Sequence, residues 1–129
     1  MKETMPHWLD KQVDLAPDTN AIESPLFDAI TFTTLRDRAQ QFAKRLASLG
    51  VKEGDHVAIY ASNSIEMVTA IHGLSYLGAV VVLLNTRLTN NELTFQIRDA
   101  NVSYILTGGD NLNHFEDEEN VQVASFSAV

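Results

Sequence analysis

The side chains that could do chemistry are few: four histidines (His7, His56, His72 and His114) and the polar groups of two segments, Ala61-Ser62-Asn63-Ser64 and Asn85-Thr86-Arg87. The histidines lack the i, i+4 spacing by which one helix offers two ligands to a metal, and no ligand cluster surrounds them. His72 reads as a hydrogen-bonded packing residue. With no cysteine there is no disulfide framework, thiolate zinc site or cysteine nucleophile. The acidic stretch from Asp110 to Glu119 has no central glycine and places Leu112 where a calcium loop needs an oxygen, so it reads as a solvated tail. Gly108-Gly109 fits neither the dinucleotide fingerprint nor a phosphate loop ending in Lys-Ser/Thr, and a plain turn accounts for it. What remains is binding. Asn63 and Ser64 could contact a ligand where helix amides attract an anion, although capping accounts for Asn63. Arg87 either reaches an anionic group at the rim of a substrate site or pairs with Glu92 or another surface acid. No catalytic, cofactor-binding or metal-ligating residue is assigned, and Arg87 is a candidate for the substrate rim only.

The elements that must position these groups follow from periodicity. Trp8, Leu9, Val13 and Ala16 recur at helical spacing between Pro6 and Pro17. Residues 19–22 and 29–32 read as two short strands joined through Ser24-Pro25-Leu26-Phe27-Asp28, a small hairpin. From an N-cap at Thr33 or Thr34, Leu35, Ala39, Phe42, Leu46 and Leu49 form an apolar stripe that Gly50 ends, with Arg36, Asp37, Gln40, Gln41, Lys44, Arg45 and Ser48 facing water. Then comes alternation: a strand at His56 to Tyr60; a helix from Ser64 to Leu77, capped by Asn63, with Glu66 third and Gly78 closing; and a buried strand at Val80 to Leu84. Thr89-x-x-Glu92 forms a capping box for a helix from Asn90 to about Asp99, with Leu88 and Leu93 placed as a hydrophobic staple. A strand at Ser103 to Leu106 follows, then a short helix around Asn111 to Phe115 and a strand at Val121 to Val123. The helix over 64–77 carries Met67, Val68, Ile71 and Leu74 on one face and Ile65, Thr69 and Tyr76 on its flank, so it packs on more than one side.

The β-α-β-α-β order over 57–106 predicts an α/β fold in three layers: a mainly parallel sheet, right-handed crossovers and helices on both faces, plus the N-terminal hairpin. In such sheets ligands collect beyond the carboxyl ends of the strands, which nominates the loops at 61–64 and 85–87. The 129 residues fit one domain that can bury roughly two thirds of its unfolded surface. The body is taken as residues 1–109, and 110–129 as an acidic tail that starts the next element or is partly disordered. Seventeen acids against nine Lys and Arg give a net charge of −8. Five of the acids lie after Gly109, where no base occurs, which leaves twelve against nine before it. That balance argues against nucleic-acid binding. The start has no apolar signal core, and the longest apolar run, Ala79 to Leu84, is too short for a membrane span, so a cytoplasmic protein is expected.

Four blocks then come in the order and spacing of adenylate-forming enzymes: Gly50-Val51-Lys52-Glu53-Gly54-Asp55-His56-Val57-Ala58-Ile59, Asn63-Ser64-Ile65-Glu66, Leu77-Gly78-Ala79-Val80, and Leu84-Asn85-Thr86-Arg87-Leu88-Thr89-Asn90-Asn91-Glu92-Leu93. To about Thr107 the chain resembles the N-terminal part of an acyl-CoA synthetase. His7-Trp8-Leu9, Leu15-Ala16-Pro17-Asp18 and Asn85-Thr86-Arg87-Leu88-Thr89, where many relatives have Asn-Pro, make it most similar to the o-succinylbenzoate-CoA ligase branch, which serves menaquinone synthesis.

The resemblance implies an enzyme that joins a small-molecule acid to coenzyme A through an acyl-adenylate, using ATP and Mg. Such enzymes use a Ser/Thr/Gly-rich loop ending in Pro-Lys, a Tyr-Gly-x-Thr-Glu segment, a ribose-binding Asp and a Lys on a mobile C-terminal domain. None of these occurs in this sequence. The chain is therefore expected to be a fragment, inactive alone, whose partner is the remainder of its parent. Exposed apolar area and an open strand edge are expected to make it self-associate. A ligase for a fatty or aryl acid, or a stand-alone α/β binding module using the 85–87 loop, are the other readings.

Overall fold

Strand β3 (His56–Tyr60) has four consecutive buried residues, Val57, Ala58, Ile59 and Tyr60. Only a strand covered on both faces can be apolar without alternation. In the structure, a computed structural model, β3 lies inside a four-stranded parallel sheet. The order is β4 (Val80–Leu84), β3, β5 (Tyr104–Thr107), β6 (Gln122–Ser125). The structure describes residues 8–16, 18, 20–24, 27–61, 64–115, 118 and 121–128. Because β4 and β5 flank β3 on opposite sides, connections of one hand must cross on opposite faces. They do. Helices α2 (Phe32–Ser48) and α3 (Ile65–Leu77) bury Phe42, Leu46, Ala70 and Leu74 against Val57, Ile59 and Leu106. On the other face α4 (Asn90–Asp99) and a 3₁₀ segment (Gly109–Phe115) bury Leu93, Ile97 and Phe115 against Ala58, Tyr60, Leu84 and Ile105. This is the three-layer arrangement expected from the sequence.

Helix α1 (Trp8–Leu15) and the antiparallel hairpin of β1 (Asn20–Ser24) and β2 (Phe27–Thr31) sit on the α2/α3 layer. Leu9, Ile30, Leu35 and Ala39 form their core, flanked by Ile65, Val68 and Tyr76 of α3. Helix α3 thus packs on two sides, as its wide apolar surface requires. Tyr76 Oη donates to Asp10 Oδ1 at 2.6 Å and ties α1 to α3. Burial, then the Asp10 carboxylate, pushes the phenol well above its ordinary range, so it stays a donor. Ser24, Phe27 and Asp28, expected in the turn, are strand residues instead; Pro25 and Leu26 lie outside the described residues.

Three helices end alike. Val51, Ala79 and Val102 each donate back into the preceding turn, to Leu46, Leu74 and Ile97, across a residue of positive φ: Gly50, Gly78 and Asn101. The left-handed residue turns the backbone so that the next apolar side chain re-enters the core. Val51 and Val102 are buried, and each lies shortly before a strand.

Four local expectations need correction. Helix α2 is capped by Thr31, whose Oγ1 accepts from Thr34 N at 3.2 Å, not by Thr33 or Thr34, because extended β2 leads directly into the helix. Leu49 is 45% exposed, since it is the cap residue beyond the stripe and Val51 takes the core position. Ser64 caps α3, accepting from Met67 N at 3.1 Å, so Glu66 is second in the helix; Asn63 lies outside the described residues. Strand β4 is only partly buried: Leu84 is in the core, but Val80 is 43% and Leu83 59% exposed, because β4 is an edge of the sheet.

Helices α2 and α3 meet at Gly73, where a Cβ would stand 3.1 Å from both Ala39 O and Phe42 Cδ2. Helix propensity alone favours a side chain there. The backbone contact decides the opposite, so Gly73→Val is expected to destabilise the chain by about 1–3 kcal/mol. Urea unfolding measures this, and an unchanged midpoint would show that the helix pair can move apart.

Candidate functional site: the crevice at the carboxyl ends of the strands

The chain leaves β3 toward α3 on one face and leaves β5 toward the 3₁₀ segment on the other. Loops that part to opposite faces open a crevice between neighbouring strand ends. A cavity of about 430 Å³ lies there, lined by Ala61, Ser64, Glu66, Gly108, Asn111 and Ser127 among others. A second cleft of about 240 Å³ opens between the ends of β3 and β4, lined by Ile59, Met67, Leu83, Leu84 and Asn85, with Ala61 common to both. A larger depression of about 740 Å³ lies at the opposite, amino end of the strands, around Asp55, His56, Arg98 and Ser103. Size does not decide here, because the parting of the loops occurs only at the carboxyl end.

The floor of the crevice is held by hydrogen bonds that the sequence did not announce. Thr107 Oγ1, fully buried, donates to Tyr60 O at 2.7 Å and locks the ends of β5 and β3 together. Tyr60 Oη donates to Thr86 O at 3.3 Å, which ties the loop after β4 to β3. The Tyr60 ring meets Phe115 edge-on, with centroids 5.2 Å apart at 81°. Alternation marks Tyr60 and Thr107 only as strand residues; which strands adjoin, and so which atoms meet, is set by the sheet order.

Of the two nominated loops, the first contributes Ala61 and Ser64 to the crevice, while Ser62 and Asn63 lie outside the described residues. The second bends by an Asx turn, Arg87 N donating to Asn85 Oδ1 at 2.8 Å. Arg87 is exposed, forms no ion pair among the described residues, and is not part of either cavity wall. Pairing with Glu92 is not seen, because Glu92 is engaged in the capping box. Its Oε1 accepts from Thr89 N at 3.0 Å while Thr89 Oγ1 accepts from Glu92 N at 3.2 Å. Leu88 packs on the cluster that contains Leu93, as a staple would place it. His72 is half-buried on α3 and is not without a partner. His56 lies at the other end of the sheet, its Nδ1 2.7 Å from Ala100 O. The histidines described are thus not brought together at the crevice.

The crevice offers one helix N-terminus, the hydroxyls of Ser64 and Ser127, the Asn111 amide and the carboxylate of Glu66. It can form one wall of a binding site, but it holds no nucleophile with an adjacent base. No group of three or more His, Asp or Glu able to hold a metal occurs among the described residues. No helix among them is long and apolar enough to cross a membrane.

Residues 9–128 match the AMP-binding enzyme family. The chain is 50% identical over 107 residues to a 2-succinylbenzoate–CoA ligase of Oceanobacillus iheyensis, which covers 83% of the chain and 22% of the relative. It is 44% identical over 129 residues to that of Bacillus cereus, covering 100% and 26%. Among solved structures it superposes on the o-succinylbenzoate CoA synthetase of Bacillus subtilis in complex with the acyl-adenylate intermediate OSB-AMP. The TM-score is 0.88 at 32% identity, over 96% of this chain and 32% of that one. The chain thus spans about a quarter of the length of the curated relatives it matches.

The capping box beside the crevice is testable through acid. Donation from the Thr89 backbone N–H, then from its side chain, holds the Glu92 carboxyl below its ordinary range. A lowered pKa contributes stability that is whole above the ordinary carboxylate value and is lost as pH falls through the lowered one. Replacing Glu92 with Gln is therefore expected to flatten the acid limb of a stability-versus-pH curve. Separately, Thr89→Ala should cost about 1 kcal/mol near neutrality through loss of the cap. Thermal melts across an acid series read both, and an acid limb unchanged by Glu92→Gln would count against the bond.

Proposed function

Because the chain belongs to the AMP-binding enzyme family, we propose that it is the N-terminal portion of an ATP-dependent, AMP-forming acid–CoA ligase whose acid is 2-succinylbenzoate. The observation that carries this reading is the match over all 129 residues, at 44% identity, to one such ligase. The substrate's carboxylate attacks the α-phosphate of ATP, forming the acyl-adenylate and releasing pyrophosphate. The thiol of coenzyme A then attacks the acyl carbon, and AMP leaves with the bonding electrons. Adenylation is useful because AMP is a far better leaving group than oxide. Magnesium, when bound, neutralises phosphate charge; the described residues of this chain do not supply its ligands, so they are assigned no step through it.

The chain's own part is structural. The α2/α3 layer and the sheet hold one wall of the crevice, and the bond from Thr107 to Tyr60 fixes its floor. Arg87, exposed and without an ion pair among the described residues, is the residue we assign to the substrate rim, where it would meet an anionic part of a substrate. Residues 1–109 are taken as the body of the proposed subdomain, to which the segment 110–129 adds the buried Phe115 and the fourth strand, β6. A role in menaquinone biosynthesis and a place in the cytoplasm accompany this reading.

The 129-residue chain alone is expected to form no 2-succinylbenzoyl-CoA from ATP, acid and coenzyme A, whereas a polypeptide continuing to the length of its relatives is expected to do so. Thioester formation by the short chain, or none by the long one, would overturn the reading. In the long form Arg87→Ala should raise KM for an anionic substrate about fivefold with little change in kcat, the scale of an exposed charge contact. The short chain should also self-associate through its exposed apolar strand; sedimentation at rising concentration checks this, a constant monomer mass being the contrary result.

A further inference from the structure

Helix α2 carries Arg36, Arg38, Lys44 and Arg45, four of the nine Lys and Arg in a chain of net charge −8, against a single acid, Asp37. Arg36 pairs with Asp37 at 3.2 Å. Arg38 forms no ion pair among the described residues. Together with Arg45, two turns further along the same side of α2, it lines a cavity of about 230 Å³ between α2 and α3. By the share of volume a molecule takes in liquid water, that is room for about seven waters or one small organic ion.

From α3 the cavity is lined by Thr69, which is 9% exposed. A threonine inside a helix can turn its hydroxyl onto the carbonyl one turn earlier. Thr69 Oγ1 does not: it is buried and has no hydrogen-bond partner among the described residues. A buried hydroxyl without a partner is costly, so such a group calls for an occupant that completes it.

The remaining lining decides the kind of occupant. Phe42 and Phe126 give the cavity an apolar side. Arg38 and Arg45 against Glu66 leave its lining with a formal charge of one positive, which balances a monoanion; a dianion would meet Glu66 with charge to spare. Arg45 is already engaged, so the open guanidinium is that of Arg38. Glu66 and Phe126 also line the crevice at the strand ends, whereas Arg38, Arg45 and Thr69 do not, so the cavity adjoins the crevice without being part of it.

We propose that the α2/α3 cavity is a binding site for a small organic monocarboxylate with an apolar body. The carboxylate accepts from the Thr69 hydroxyl and the Arg38 guanidinium, and the apolar body lies against Phe42 and Phe126. The site is independent of the ligase reading, since every group it uses belongs to this chain.

Benzoate is the probe, titrated into the 129-residue chain and followed by NMR shifts. The expected result is saturable shifts centred on Arg38, Thr69 and Phe126, with a dissociation constant of about a millimolar or tighter. Benzamide, of the same shape but neutral, is expected to bind at least about tenfold more weakly. Arg38→Gln, at an exposed position, should weaken benzoate about tenfold and leave the urea midpoint unchanged. Thr69→Val removes the unpartnered hydroxyl, so it should weaken benzoate about fivefold while the urea midpoint stays the same or rises. If Thr69→Val lowers the midpoint and leaves benzoate affinity intact, the hydroxyl serves the fold through a bound water alone and the site is refuted. If that variant does not fold, Arg38→Gln decides, an unaltered benzoate affinity being the contrary result. Shifts that do not saturate, benzamide binding as tightly as benzoate, or inorganic phosphate displacing benzoate at equal concentration also overturn the assignment.

Discussion

Parallel pairing of β3 between β4 and β5 is the constraint on which the rest depends. A strand with a parallel neighbour on each side needs a crossover in each direction, and crossovers of one hand must lie on opposite faces. That alone places α3 on one face and α4 on the other, and it requires Val57 through Tyr60 to be apolar throughout. It also parts the loops at 61–64 and 108–109. The crevice is a consequence of strand order before it is a property of any side chain.

Accuracy at the joints keeps this arrangement in one register. Gly50, Gly78 and Asn101 take positive φ, and the residues after them bond back to Leu46, Leu74 and Ile97. At the other ends Thr31, Ser64 and Thr89 accept from helix amides. Each device satisfies backbone groups that a buried helix end would otherwise leave unmade. Thr107 and Tyr60 make side-chain bonds to main-chain oxygens, so the floor of the crevice is held without any charged side chain.

The walls of the crevice carry polar groups, and the described residues show no nucleophile with a base. Residues 9–128 carry the match to the AMP-binding enzyme family, so the match spans the sheet and both helical layers. At Arg87 the backbone N–H is bound by Asn85, the side chain is exposed, and Glu92 accepts from the Thr89 amide instead.

Local chemistry was legible wherever the deciding atoms are near in sequence. Asn90–Asp99 and its capping box, Gly78 as the end of α3, and the bounds of β3 and β4 could all be read because a cap or a turn is satisfied within a few residues. Thr31 was missed as a cap because the strand before it leaves no turn to signal the helix start. The apolar run at 80–84 specified a strand but not its place, since a central strand and an uncovered edge can share one composition. The amino-acid sequence by itself determined the elements, their order and the family. Only the tertiary structure decided that β4 is the edge, that Thr107 meets Tyr60, and that Arg87 stands outside the cavity walls, because those depend on which distant segments become neighbours, a choice made by burial over the whole sheet.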